Sequence, residues 1–166
     1  MRTVSPQDKT ISKDDVEANI QEWEGELESL TDSVNYAESE LEEAQEALGH
    51  EDLKDNQEAL ADAQEALEDA QEALEAAQEE LKDWREEFAA PLTELKKFLE
   101  GMESYGDFAI SENYWREYAN QQIDEALGDG AQNWPFNCID YEQARNALEA
   151  DYSGVEFAGV TFYIQG

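Results

Sequence analysis

Residues 61–81, ADAQEALEDAQEALEAAQEEL, repeat almost verbatim every seven residues. A seven-residue apolar repeat leaves a chain few options, because its apolar stripe is continuous only on a helix that faces another helix. The stripe runs Leu53, Asn56, Leu60, Ala63, Leu67, Ala70, Leu74, Ala77, Leu81, Trp84, Phe88, with Leu at one core position and Ala at the other. Ala59, Ala66 and Ala73 widen it. A second seam precedes it: Val16, Ile20, Trp23, Leu27, Leu30, Val34, Ala37, Leu41, Ala44 and Leu48, at alternating steps of four and three.

The two seams are out of phase. Leu48 to Leu53 is a step of five, and Gly49 is a poor residue for a helix interior. The chain therefore reads as an antiparallel helical hairpin: one helix over 15–48, a turn from Gly49 to Lys54, and a second helix to about Ala89. Asp55 and Glu58 offer a capping box for a later start of the second helix. A turn near residue 50 pairs positions whose numbers sum to about 100. Trp23 then faces Ala76 and Ala77, and Ala44 lies near Leu53 and Lys54, so large residues meet small ones. A Trp23 far from Ala77 would sink the intramolecular hairpin and favour pairing between chains, which leaves a homodimer open.

Outside the seam the second helix is almost purely acidic. Residues 14–89 hold 28 acids and 3 bases, a net −25 within a whole-chain net of −33. An acidic surface adapted to high salt is spread over the whole fold, whereas this charge is concentrated. Helices usually place Lys or Arg four residues after Glu and gain a few tenths of a kcal/mol per pair. Here only Lys54, Lys82 and Arg85 interrupt the acids. Such a charge repels nucleic acid and anionic membranes and steers toward basic partners.

The remainder reads as a tail over 1–13 and a small α+β domain over 91–166 ending in a β-hairpin, so the fold class is mainly α. Pro91 ends the second helix or begins a short amphipathic one, PLTELKKFLE. A helix capped by Ser111 is predicted to bury Tyr114, Tyr118, Ile123, Ala126 and Leu127. Another begins at Asp140, with Gln143 as its capping partner and Tyr141, Ala144, Ala147 and Leu148 on one face. VEFAGVTFYI reads as two strands about an Ala158-Gly159 turn.

The closing segment, NWPFNCIDYEQARNALEADYSGVEFAGVTFYI, resembles the end of phage and mobile-element antirestriction proteins of the ArdA type. In these an IDYE or IDWE helix start precedes a short hairpin; Asp140, Tyr141 and Glu142 match that start. Residues 1–90 do not match the domains that precede it in that family. The resemblance implies an acidic DNA mimic that binds restriction–modification enzymes in place of DNA.

No catalytic signature stands beside this. His50 is a lone turn histidine, Cys138 reads as a small core residue, and no metal-ligand spacing, phosphate loop or nucleophile motif occurs. The expectation is a non-enzyme with no catalytic residues, cofactor or metal. A single cysteine, no signal-peptide run and no membrane-length apolar stretch point to a cytoplasmic setting in a host cell. The expected function is inhibition of a defence enzyme, restriction–modification or CRISPR effector, by filling its basic DNA channel. The partner is thus a basic DNA-binding protein, with no direct binding of nucleic acid or membrane. The candidate partner-binding residues are Glu24, Glu28, Glu38 and Glu42 on the first helix. On the second they are Asp62, Glu65, Glu68, Asp69, Glu72, Glu75 and Glu79. The alternative is a structural or assembly protein that uses the coiled coil to dimerise or to space partners; a chaperone of basic proteins is a third reading.

Overall fold

Ser12 starts the first helix by a reciprocal cap: its hydroxyl accepts from the Asp15 amide at 3.2 Å and donates to the Asp15 carboxylate at 2.7 Å. The computed structural model describes residues 3–49, 57–128 and 138–166. In chain order the elements are β1 (Thr10–Ser12), α1 (Lys13–Gly49), α2 (Gln57–Tyr105), β2 (Phe108–Ser111), α3 (Glu112–Leu127), α4 (Tyr141–Glu149), β3 (Tyr152–Phe157) and β4 (Val160–Gln165). The chain is mainly α, with a small antiparallel sheet. It divides into two compact units: Met1–Gln21 together with Pro91–Gly166, and Glu22–Ala90.

The second unit is the helical hairpin. In α1 every seam residue from Trp23 to Leu48 is buried or half-buried, and only Thr31 joins them. In α2 the same holds for Leu60, Ala63, Leu67, Ala70, Leu74, Ala77, Leu81, Trp84 and Phe88, with Ala59 beside them. Ala66 and Ala73 are exposed, so the stripe is narrower there than its alanines suggest. Ala37, Ala70, Leu81 and Trp84 are the most enclosed.

The register differs from the expected one. The Trp23 ring lies 5.4 Å from that of Phe88, so paired positions sum to about 111 and Trp23 does not face Ala77. The seam is nonetheless filled within one chain, because Phe88 and Trp84, 5.6 Å apart, supply the partner surface. An antiparallel pair of repeating seams tolerates sliding, and the aromatic group at 23, 84 and 88 breaks that degeneracy. Gly49 closes α1 instead of opening the turn; the rest of the predicted turn, from His50 to Lys54, with seam positions Leu53 and Asn56 and the Asp55 cap, lies outside the described residues.

The first unit is built on one sheet of order β1-β2-β4-β3, antiparallel throughout. Within the segment read as a tail, Thr10–Ser12 form the edge strand β1. Thr10 pairs with Ile110, and Ile11 with Ala109. Val4 is buried, its amide donating to the carboxamide of Asn19, which in turn donates to the Asp15 carbonyl at 2.8 Å. Side chains alternate across the strands. Ile11, Ala109, Phe157, Phe162 and Ile164 share one face, covered by Phe98 of α2 at 5.0 Å from Phe157 and 5.4 Å from Phe162. On the other face Ile110, Tyr152 and Tyr163 pack with Trp115, Tyr118 and Leu148 of α3 and α4.

Pro91 neither ends nor begins a helix: α2 runs through it to Tyr105. The apolar seam continues past it as Leu92, Leu95, Phe98 and Met102, all buried, and that burial outweighs the one amide bond proline cannot make. Gly101 lets α2 approach the sheet, since a Cβ there would meet Val155 Cγ1 at 2.7 Å. In α3 the buried residues are Trp115 and Ala119; Tyr114, Tyr118, Ile123 and Leu127 are half-buried, and Ala126 is exposed. The caps fall as read: Ser111 accepts from the Asn113 amide, and Asp140 from those of Glu142 and Gln143. Tyr141 sits half-buried with its hydroxyl donating to Asp124, Ala147 is exposed, and Cys138 is exposed rather than core. Ala158 and Gly159 turn the closing hairpin with φ of 49° and 78°, the double positive φ of a type I′ turn.

Candidate protein-interaction surface

The heptad that buries the Leu and Ala seam necessarily turns the intervening positions outward. Glu24, Glu28, Glu38 and Glu42 on α1 are all exposed, as are Asp62, Glu65, Glu68, Asp69, Glu72, Glu75 and Glu79 on α2. They form extended rows rather than a pocket. Asp69 lines an open groove between the helices together with Glu40, Glu43, Ala44, Ala66, Ala70 and Ala73. Glu40 and Glu43 were missed by the sequence reading, because only the across-seam register shows which α1 carboxylates stand beside α2.

Charge density follows from counting. Residues 22–49 carry 10 acids and no base; residues 57–90 carry 12 acids and 2 bases. Among these described residues the net is −20, set along a helix of 34 residues, or about 51 Å at 1.5 Å per residue. That is about one net charge per 2.5 Å, against one per about 1.7 Å of axis in duplex DNA. Lys82 is turned to its own helix, 3.8 Å from Glu86.

One aromatic ring lies on the outer surface of this unit. Tyr36 is 66% exposed, and its hydroxyl donates to the Glu40 carboxylate at 2.7 Å. That hydrogen bond, then the charges of Glu40 and Glu43, push its ionisation above the ordinary tyrosine range. The spacing signal hides this residue, since a Tyr between Val34 and Ala37 reads as part of the seam's margin.

Among the described residues no three or more His, Cys, Asp or Glu side chains gather as metal ligands would, and no helix is long and apolar enough to cross a membrane. The grooves of the hairpin are open and shallow, suited to surface docking rather than to enclosing a small substrate. No protein-family model, curated protein or solved structure matches the chain.

Proposed function

We propose that this protein is an acidic decoy that occupies the DNA-binding channel of a host defence enzyme, a restriction–modification complex or a CRISPR effector. The observation that carries the reading is the outward display of carboxylates on both helices, at a density near that of duplex DNA and with almost no compensating base. Like charges at these spacings weaken a helix by a few tenths of a kcal/mol per pair. A surface that accepts this cost along both helices is selected for the field it makes. Carboxylates stand where phosphates would, and the lysines and arginines of a DNA channel supply the complement. The ArdA resemblance of the closing segment, on Asp140, Tyr141 and Glu142, points the same way.

The alternative, a dimerising or spacing coiled coil, has less to work with, because Trp23 and Phe88 fill the seam within one chain. The deciding experiment is capture from a host extract on the immobilised protein at low and high salt. The decoy reading expects a basic DNA-binding protein, released by salt and by added duplex DNA. A captured partner that duplex DNA cannot displace would refute it. Reversing Glu65, Glu68, Asp69 and Glu72 together should abolish capture while circular dichroism shows the helices intact.

A further inference from the structure

We infer that Tyr36 and the groove beside it form a recognition point for an arginine side chain of the basic partner. This rests on the reading of the hairpin as a binder of basic protein surface, and it assigns a specific contact within a field otherwise made of dispersed charge. Between Glu22 and Glu46 the longest run without an acid is 33–37, and at its outward position the chain places an aromatic ring. The ring is 66% exposed, although a packing role would bury it.

The surroundings fit a guanidinium. Gly25, Ser29 and Ser33 are small and, with Glu28, Asp32 and Tyr36, line an open, shallow depression on the face of α1. Asp32 precedes Tyr36 by four residues, so its carboxylate lies one helical turn from the ring. Glu40, one turn the other way, holds the phenol oxygen at 2.7 Å. This bond restrains the ring and, by drawing on the phenol proton, enriches its π face. A guanidinium laid on that face satisfies the ring quadrupole and presents its planar fork to Asp32. A lysine ammonium, compact and strongly hydrated, gains the charge attraction but not the stacking.

The test uses the full chain and two peptide probes at low salt: nine lysines, and the same peptide with its central lysine replaced by arginine. Tyrosine-ring NMR should show the Tyr36 resonance moving with the arginine peptide more than with the lysine peptide, while the other six tyrosines stay in place. The arginine peptide should bind about two- to five-fold more tightly. Tyr36→Ser should bring the two peptides to equal affinity, and Tyr36→Phe should retain the arginine preference. If both peptides bind but the Tyr36 ring stays still, or Tyr36→Ser keeps the preference, the assignment is overturned and the acidic-binder reading survives. If neither peptide binds, both fall.

Discussion

The Trp23 and Phe88 rings lie 5.4 Å apart and tilted by 54°, one on each helix of the hairpin, with Trp84 5.6 Å from Phe88. This contact selects one register among those the repeating seam would accept. Trp23→Ala and Phe88→Ala should each lower hairpin stability by about 2–3 kcal/mol, below the fully buried value because both rings are half-buried. Chemical denaturation of the two single variants and the double variant should return a coupling of about 0.5–1.5 kcal/mol. Additive losses would show that the two rings do not act together.

Gly101 has no room for a side chain. A Cβ there would stand 2.7 Å and 2.9 Å from the two Val155 methyl groups. Gly101→Ala should therefore cost about 1–3 kcal/mol despite alanine's better helix propensity. Val155→Ala in the same chain should recover much of that loss, which a thermal melt of the pair of variants would reveal.

On the α3 side of the sheet the Tyr118 and Tyr152 hydroxyls meet at 3.0 Å. Burial, then the bond to Tyr118, raises the Tyr152 ionisation well above 10, and burial raises that of Tyr163. The folded state thus holds phenol protons that the unfolded chain releases from pH about 10 upward. Stability contributed by these groups is complete below that pH and declines as pH rises further. Tyr152→Phe should flatten the decline, measured as denaturation midpoint between pH 9 and 11; an unchanged slope would place the lost protons elsewhere.

Salt should act in opposite directions on folding and on partner binding. Screening relieves the self-repulsion of a hairpin with 22 acids and 2 bases among its described residues, so its melting temperature should rise from 10 mM to 500 mM salt. Affinity for a basic partner should fall over the same range. A melting temperature that falls with salt would mean that attractive ion pairs, not repulsion, dominate the helices.

What could be read from residues alone follows from periodicity. Both seams, the outward acids, the Ser111 and Asp140 caps and the Ala158-Gly159 turn are local patterns, and each lies where its spacing puts it. Register is not local. Residues 60–81 are nearly unchanged by a shift of seven, so their pattern alone cannot say which turn of α1 each faces. Strand β1 was invisible for a related reason: Thr10–Ser12 is three residues long, and only its pairing with Phe108–Ser111 makes it a strand. Pro91 misled because the local rule against proline was outweighed by Leu92, Leu95 and Phe98 burying against the sheet unit. Tyr36 was passed over because, between Val34 and Ala37, it reads as the seam's margin, and only the structure shows its ring exposed.

Strands β1 and β2 are hydrogen-bonded neighbours, yet the whole hairpin unit, Glu22–Ala90, lies between them in the chain. In topology the hairpin is thus an insert within a β1–β2 connection, and both chain ends belong to the sheet unit. Heptads can then be gained or lost in matched pairs, one from each helix, without altering a single strand pairing. The length of the acidic helical pair is thus free to drift from one chain to another while every strand of the sheet keeps its neighbour.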